Sequence, residues 1–479
     1  MRSVSILALA IAGVALLSTG CANTRVRNPN AINELITARG APAAIWPVAS
    51  GKSTRTADAD LVAAKTQEPI TLASAVEIAF LRSPAIRERY AELGISHADV
   101  IEASAIPNPS LGYVGLGDSG GGASQITRSV SMPFADLLFL PARRRVANVN
   151  FESARNRIAA SLLNLQGEIE TSWYEYVAAM QSAQMREGAA RAAEASAEYA
   201  RRLSVAGNLK SRVVALELAA SSEARIAVAR ANSEVSRSRA ALAALLGLST
   251  RDSWQVAQGL PALPKAVQSQ DALVTEAGSS RLDVLGARRD VAALESALHL
   301  TRWWRWLGDF EIGYERESET DGTRLRGPTF RLGIPLFNQN RSGVMRAESQ
   351  LDAARARLDI LELAVRNDIS LGLDRLATAR DIAEAYRAAL VPEREAVTQR
   401  TQEEVNFMLA GAFEALQAKR EQYAAYQEYI DAVRDYWLAR VRLRLAVGGK
   451  LPDDEAASEK LNLEGFTPRD MSDMTGAKK

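Results

Sequence analysis

Residue types that carry most protein chemistry are scarce in this chain. It holds one cysteine, Cys21, and two histidines, His97 and His299, among 479 residues. A lone cysteine excludes a disulfide framework and a thiolate-based structural zinc site. Two histidines so far apart in sequence do not make a zinc-binding pair. No nucleophile and base stand together with supporting residues, and there is no phosphate-loop glycine pattern. Trp303-Trp304-Arg305-Trp306 could stack on a ligand. That cluster directly precedes a strand-like run, which favours an interfacial aromatic belt. The chain is therefore read as no enzyme, with no cofactor and no resident metal. Lysine plus arginine is 58 against 57 for aspartate plus glutamate, a net charge of +1, so nucleic acid is not an expected partner. An apolar fraction of 47% is too high for a disordered chain.

The chemistry open to Cys21 is lipid attachment. Arg2 gives a positive start, and residues 6–17 form an apolar run of about twelve residues, enough for a signal h-region and too short to span a bilayer of roughly 30 Å. The run ends in Leu17-Ser18-Thr19-Gly20-Cys21, which resembles a bacterial lipobox except that Ser18 stands where leucine is usual. Ala22 and Asn23 follow, and by resemblance to bacterial lipoproteins they favour the outer membrane. The expected layout is a signal peptide at 1–20, a lipidated extension at 21–70, repeats at 71–248 and 270–448, and a polar tail at 449–479. No later apolar run approaches eighteen residues, so any membrane crossing must use β-strands.

The elements that would position these residues occur twice. Ser131-Met132-Pro133-Phe134 matches Ile334-Pro335-Leu336-Phe337 at an offset of about 200 residues. Val205-Ala206-Gly207-Asn208 and Leu409-Ala410-Gly411-Ala412 repeat it, as do Leu245-Leu246-Gly247 and Ala446-Val447-Gly448. Each half reads as an alanine-rich helix (72–105, 272–307), two short strands, a very long helix (144–203, 344–407), a glycine-centred break and a shorter helix. Ile158, Leu162, Leu165, Ile169, Trp173, Tyr176 and Met180 step mostly by alternating fours and threes. So do Val344, Ala347, Leu351, Ala354, Leu358, Leu361 and Val365. A mean step near 3.5 is coiled-coil periodicity. A helix of about 60 residues is a rod of roughly 90 Å, which a compact domain does not readily hold.

The strands alternate. Phe310, Ile312 and Tyr314 oppose Glu311, Gly313 and Glu315, and Phe330, Leu332 and Ile334 oppose Thr329, Arg331 and Gly333. Residues 316–327 read as a polar loop because Arg316 would fall on the apolar face. In the first half, 125–132 alternates better than the glycine-rich 111–117. Apolar-out, polar-in strands suit either an outer-membrane barrel or two surface hairpins. About four strands cannot close a barrel, for which about eight are the minimum. Open edges are not tolerated in lipid, so a spanning reading requires oligomerisation.

At this point the sequence resembles the TolC-like outer-membrane factors, the exit ducts of efflux and secretion systems, in their lipoprotein form. The resemblance rests on Ile106-Pro107-Asn108-Pro109-Ser110-Leu111, on Gly333-Ile334-Pro335-Leu336-Phe337-Asn338-Gln339-Asn340-Arg341, on the duplication, and on the breaks at Gly207 and Gly411. It covers about 72–448. It implies a mostly α protein with a small β part, a homotrimer whose twelve-stranded β-barrel continues into a long periplasmic α-helical barrel. It implies a passive channel that passes substrates from a periplasmic adaptor and an inner-membrane pump to the exterior. The breaks become tips that contact the adaptor, through Ala206, Gly207, Asn208, Leu209, Ala410, Gly411, Ala412 and Phe413. Acidic rings close such tips in the family, which makes Glu403, Glu404, Glu414, Gln417 and Glu421 the gate candidates, although they do not form the family's tidy aspartate pair. The lipoprotein character and general pattern lean toward small molecules or metal ions as cargo, as in the heavy-metal branch of the family. The alternatives are a type I protein secretion duct or a coiled-coil periplasmic lipoprotein scaffold without a pore.

Overall fold

A computed structural model describes residues 30–44, 61–117, 124–257, 259–264, 269–304, 310–333, 336–337 and 339–451. Cys21 and the leader, the loop at 118–123, Arg305, Trp306, Pro335 and the tail beyond 451 lie outside the described residues. The chain divides into two compact units, one built from 1–32, 89–158 and 283–360, the other from 33–88, 159–282 and 361–479. Each unit takes segments from both sequence repeats.

The first unit holds a four-stranded antiparallel sheet in the order β1 (Ser110–Leu116), β2 (Gln125–Pro133), β3 (Phe310–Ser318), β4 (Arg324–Leu332). The register pairs Tyr113 with Arg128, Arg128 with Arg316, and Arg316 with Arg326. Gly313 is required here, because a Cβ would lie 2.6 Å from Thr329 Oγ1 and 2.9 Å from Val130 O. Where the sequence suggested a loop at 316–327, β3 runs on to Ser318 and β4 resumes at Arg324, leaving only a tight turn closed by Glu319 N–H donating to Thr323 O. The ladder needs only backbone groups, and the exposed Arg316 side chain costs it nothing. On the helices of this unit, Leu93, Ala147, Phe151, Ala154, Val284, Leu298 and Leu351 are buried, and the His97 ring lies 5.7 Å from that of Phe151.

The helices of the described chain are α1 (Asn30–Thr37), α2 (Leu72–Arg82), α3 (Pro84–Ser104), α4 (Phe134–Val205), α5 (Ser211–Leu246), α6 (Gln270–Ser280), α7 (Leu282–Trp304), α8 (Arg341–Ala385), α9 (Val391–Asn406) and α10 (Ala412–Val447). The single helix expected at 72–105 is two, because Pro84 has no N–H and forces Ser83 into extended backbone (φ −58, ψ 129). The helix expected at 272–307 likewise breaks, at Arg281, in extended backbone (φ −68, ψ 118). Helix α4 begins at Phe134 rather than near 144 and carries Pro141 inside. The long helix of the second half is interrupted by a π-turn at Tyr386–Leu390, where Val391 N–H donates to Tyr386 O. Pro392 follows; it cannot donate backward and crowds the carbonyl four residues earlier, which a local widening relieves.

In the second unit α4 packs on α10. Leu162, Ile169, Trp173, Tyr174 and Val177 are buried, as are Tyr426, Ile430, Val433, Tyr436, Trp437 and Val441. Tyr174 stacks on Trp437 at 5.3 Å. Each aliphatic or aromatic side chain buried this fully contributes about 2 kcal/mol. Gly188 sits where a Cβ would come within 2.7 Å of the Tyr423 ring. A buried ion pair, Arg444 to Glu170 at 2.5 Å, is held by Gln166 donating to Glu170 (2.8 Å) and by Arg444 donating to Gly449 O (3.0 Å). No described helix is long and apolar enough to cross a membrane.

Candidate functional site

Two features of the chain expose apolar side chains: the helix-hairpin tips in the second unit and one sheet face in the first. At the first tip, Asn208 N–H donates to Leu203 O (2.9 Å) and Gly207 N–H to Ser204 O (2.9 Å). That pair of bonds is a Schellman cap, with Gly207 left-handed at φ 77. The turn then enters α5 through extended Lys210. Ala206, Gly207 and Asn208 are exposed and Leu209 half-buried.

The second tip uses the same cap on different residues. Leu409 N–H donates to Glu404 O (2.8 Å) and Met408 N–H to Val405 O (3.0 Å), so the left-handed residue is Met408 at φ 59. Gly411, expected to turn the chain, is instead in extended backbone (φ −85, ψ 153) at the start of α10. The αL position is set by where α9 stops, and α9 stops at Asn406, five residues before Gly411. Ala410, Ala412 and Phe413 are half-buried, and the Phe413 ring lies 5.2 Å from Tyr199, joining α10 to α4. The contact residues expected from the sequence include Leu209 and Phe413 but leave out four exposed apolar side chains at the tips. Val205 is 91% exposed, Phe407 76%, Met408 94% and Leu409 79%. Their signal is four large apolar residues just where polar helices end.

The acidic candidates divide. Gln417 donates to Glu421 (2.8 Å), Arg394 pairs with the other Glu421 oxygen, and Arg420 donates to Gln417 and approaches Glu217 at 4.0 Å. Thr398 donates to Ala418 O (3.3 Å) beside them. Tyr426 donates to Glu395 (2.6 Å) and accepts from Gln422 (2.6 Å); burial and then the Glu395 bond push its phenol well above the usual range. Burial lowers the Lys419 ammonium, with Glu395 opposing. Glu403 accepts from Gln399 (3.2 Å), and Glu403, Glu404 and Glu414 are exposed outside this network. The structure thus brings Gln417 and Glu421 together with Arg394 and Arg420, and does not bring the other three glutamates into that cluster.

The sheet is sorted by face. Met132, Ile312 and Phe330 form one cross-strand row, and Leu111, Val130, Tyr314 and Pro328 the next. The opposite face carries Thr127, Ser129, Ser131, Glu311, Glu315, Glu317 and Thr329, with Glu311 paired to Arg331 at 2.7 Å. Val114, Leu116, Pro133 and Leu325 are the apolar exceptions on that side. Phe330 and Tyr314 are largely exposed, as lipid-facing side chains of a single copy would be. Trp303 is exposed at the end of α7, just before β3. His97 is buried against Phe151 and His299 is exposed; among the described residues no group of His, Cys, Asp and Glu is arranged to hold a metal.

Comparison with known proteins agrees with this geometry. The family described as outer membrane efflux protein matches residues 310–449. Protein CyaE of Bordetella pertussis is 26% identical over 400 residues, 79% of each chain. The cobalt-zinc-cadmium resistance protein CzcC of Cupriavidus metallidurans is 22% identical over 384 residues, covering 78% of this chain and 85% of its own length. Among solved structures, the Neisseria gonorrhoeae MtrE outer membrane channel superposes with a TM-score of 0.65 at 16% identity, over 79% of this chain and 89% of that one. The outer membrane protein VceC of Vibrio cholerae gives 0.64 at 15% identity, over 79% and 96%. Residues 310–449 thus match the outer membrane efflux protein family, and the chain is similar to outer-membrane channel proteins in sequence and shares their fold.

Proposed function

We propose that this protein is the exit duct of a tripartite efflux system, a passive homotrimeric channel through the outer membrane. One observation carries the reading: a sheet with an apolar face, a polar face and open edges at β1 and β4. Four strands cannot enclose a lumen, and their unpaired edges are untenable in lipid. Three copies joined edge to edge would give about twelve strands, with lipid outside and the Glu311, Glu315 and Glu317 face around water. Exposed apolar residues on α8 and α9, among them Leu371, Ile382 and Val397, supply the helical part of the contact between copies.

Cys21 is the lipid anchor in this reading. The tips, Ala206 to Leu209 and Ala410 to Phe413 with Val205, Phe407 and Met408, contact the hairpin of a periplasmic adaptor that links the duct to an inner-membrane pump. Their exposed apolar side chains supply the burial such a contact needs. The Arg394–Glu421–Gln417–Arg420 network holds α9 against α10 and is the latch that opening must break. Two relatives are named for resistance to cobalt, cadmium, zinc or nickel, and carboxylates on the polar face of the sheet suit cations. Divalent metal ions are therefore the cargo proposed. The test is conductance of the purified, lipidated protein in planar bilayers. Discrete channel openings from a trimer are expected; a monomer that forms no channel would sink the duct.

A further inference from the structure

The row of side chains one step short of the hairpin turns breaks the apolar face of the sheet in an ordered way. Tyr113, Arg128, Arg316 and Arg326 are successive cross-strand partners on β1, β2, β3 and β4. They therefore share one face, the one that carries Leu111, Val130, Ile312, Tyr314 and Phe330. All three arginines are exposed. Neighbouring strands lie about 4.8 Å apart, so three guanidinium stems stand side by side within about 10 Å. Like charges directly opposite each other in a sheet are destabilising. The register nonetheless stacks three of them, and the next row adds Arg324 beside Ser318.

No carboxylate on this face relieves them. Every acidic residue of the four strands, Glu311, Glu315 and Glu317, lies on the opposite face, where Arg331 and Gln125 meet two of them. No ion pair to Arg128, Arg316 or Arg326 is present among the described residues. An apolar band that ends in a row of arginines beside a tyrosine has the chemistry of a bilayer boundary: tails against the band, headgroups at the row. Guanidinium is the side chain best matched to phosphate, which it engages through two parallel N–H donors.

We propose that Arg128, Arg316 and Arg326 form a binding row for the phosphate groups of a phosphorylated membrane lipid, in the leaflet nearest the hairpin turns. The proposal rests on the duct reading, since it needs the apolar face to meet lipid. The occupant follows from charge complementarity with a three-arginine row and from continuity with the apolar band, which a free anion would not use.

The experiment titrates the full-length trimer in detergent with fluorescent bisphosphorylated lipid A, with the same lipid after dephosphorylation, and with inorganic phosphate as competitor. Wild type should prefer the phosphorylated lipid, and R128Q/R316Q/R326Q should bind it about tenfold more weakly or worse. Arg331→Gln, on the other face, should change nothing. Conductance of the same preparations separates the two ideas. Wild type that forms no channel removes the duct reading itself. A conducting wild type whose triple variant keeps full lipid affinity overturns the arginine row. So does equal binding of the dephosphorylated lipid, or displacement of the lipid by millimolar phosphate. If the triple variant does not trimerise, Arg316→Gln alone is titrated, and a loss of about threefold is expected; unchanged affinity there overturns the proposal as well.

Discussion

Arg444 and Glu170 set two opposite charges where neither meets much water, with side-chain exposures of 8% and 11%. Such a pair adds little net stability over an apolar one, but losing one member strands the other. Arg444→Met should therefore cost about 3–5 kcal/mol in denaturant unfolding, and adding Glu170→Gln should recover most of it. An R444M protein as stable as wild type would show that Glu170 finds water. Neither residue is conspicuous in the sequence. Arginine near the end of a helix reads as solvated, and only the packing of α10 on α4 brings it to a glutamate 274 positions away.

At the scale of elements, sequence patterning was strongest where the physics is local. The helices expected to run through Pro84 and Pro392 are interrupted there, and period-two alternation located β3 and β4 although it stopped β3 too soon and started β4 too late. Arg316 looked like a loop residue because an isolated strand cannot say that its next neighbours, Arg128 and Arg326, are arginines too. The tips show the same limit. Glycine marks the first turn, but the second turns on Met408, a residue for which the left-handed conformation costs about 1 kcal/mol. Met408→Gly should stabilise the protein by about that amount in thermal or denaturant unfolding. If the exposed side chain is what the adaptor grips, the same variant should lose adaptor co-purification. A variant no more stable than wild type would mean the cap is not strained.

For the whole molecule, what one chain leaves exposed matters as much as what it buries. Leu371 and Ile382 are each 48% exposed on α8. Leu371→Glu with Ile382→Glu should leave helical content unchanged by circular dichroism while light scattering reports monomers and conductance disappears. A variant that still trimerises and conducts would place the contact between copies elsewhere. The sequence by itself determined the duplicated helix–strand–strand–helix order, the long helices and the two-faced strands, because periodicity and proline act over a few residues. Only the tertiary structure decided which rows of the sheet align, which residue takes the left-handed turn at the second tip, and which acidic side chains join an arginine network. Those outcomes depend on register and on contacts between segments remote in sequence, where a shift of one residue moves a side chain to the other face.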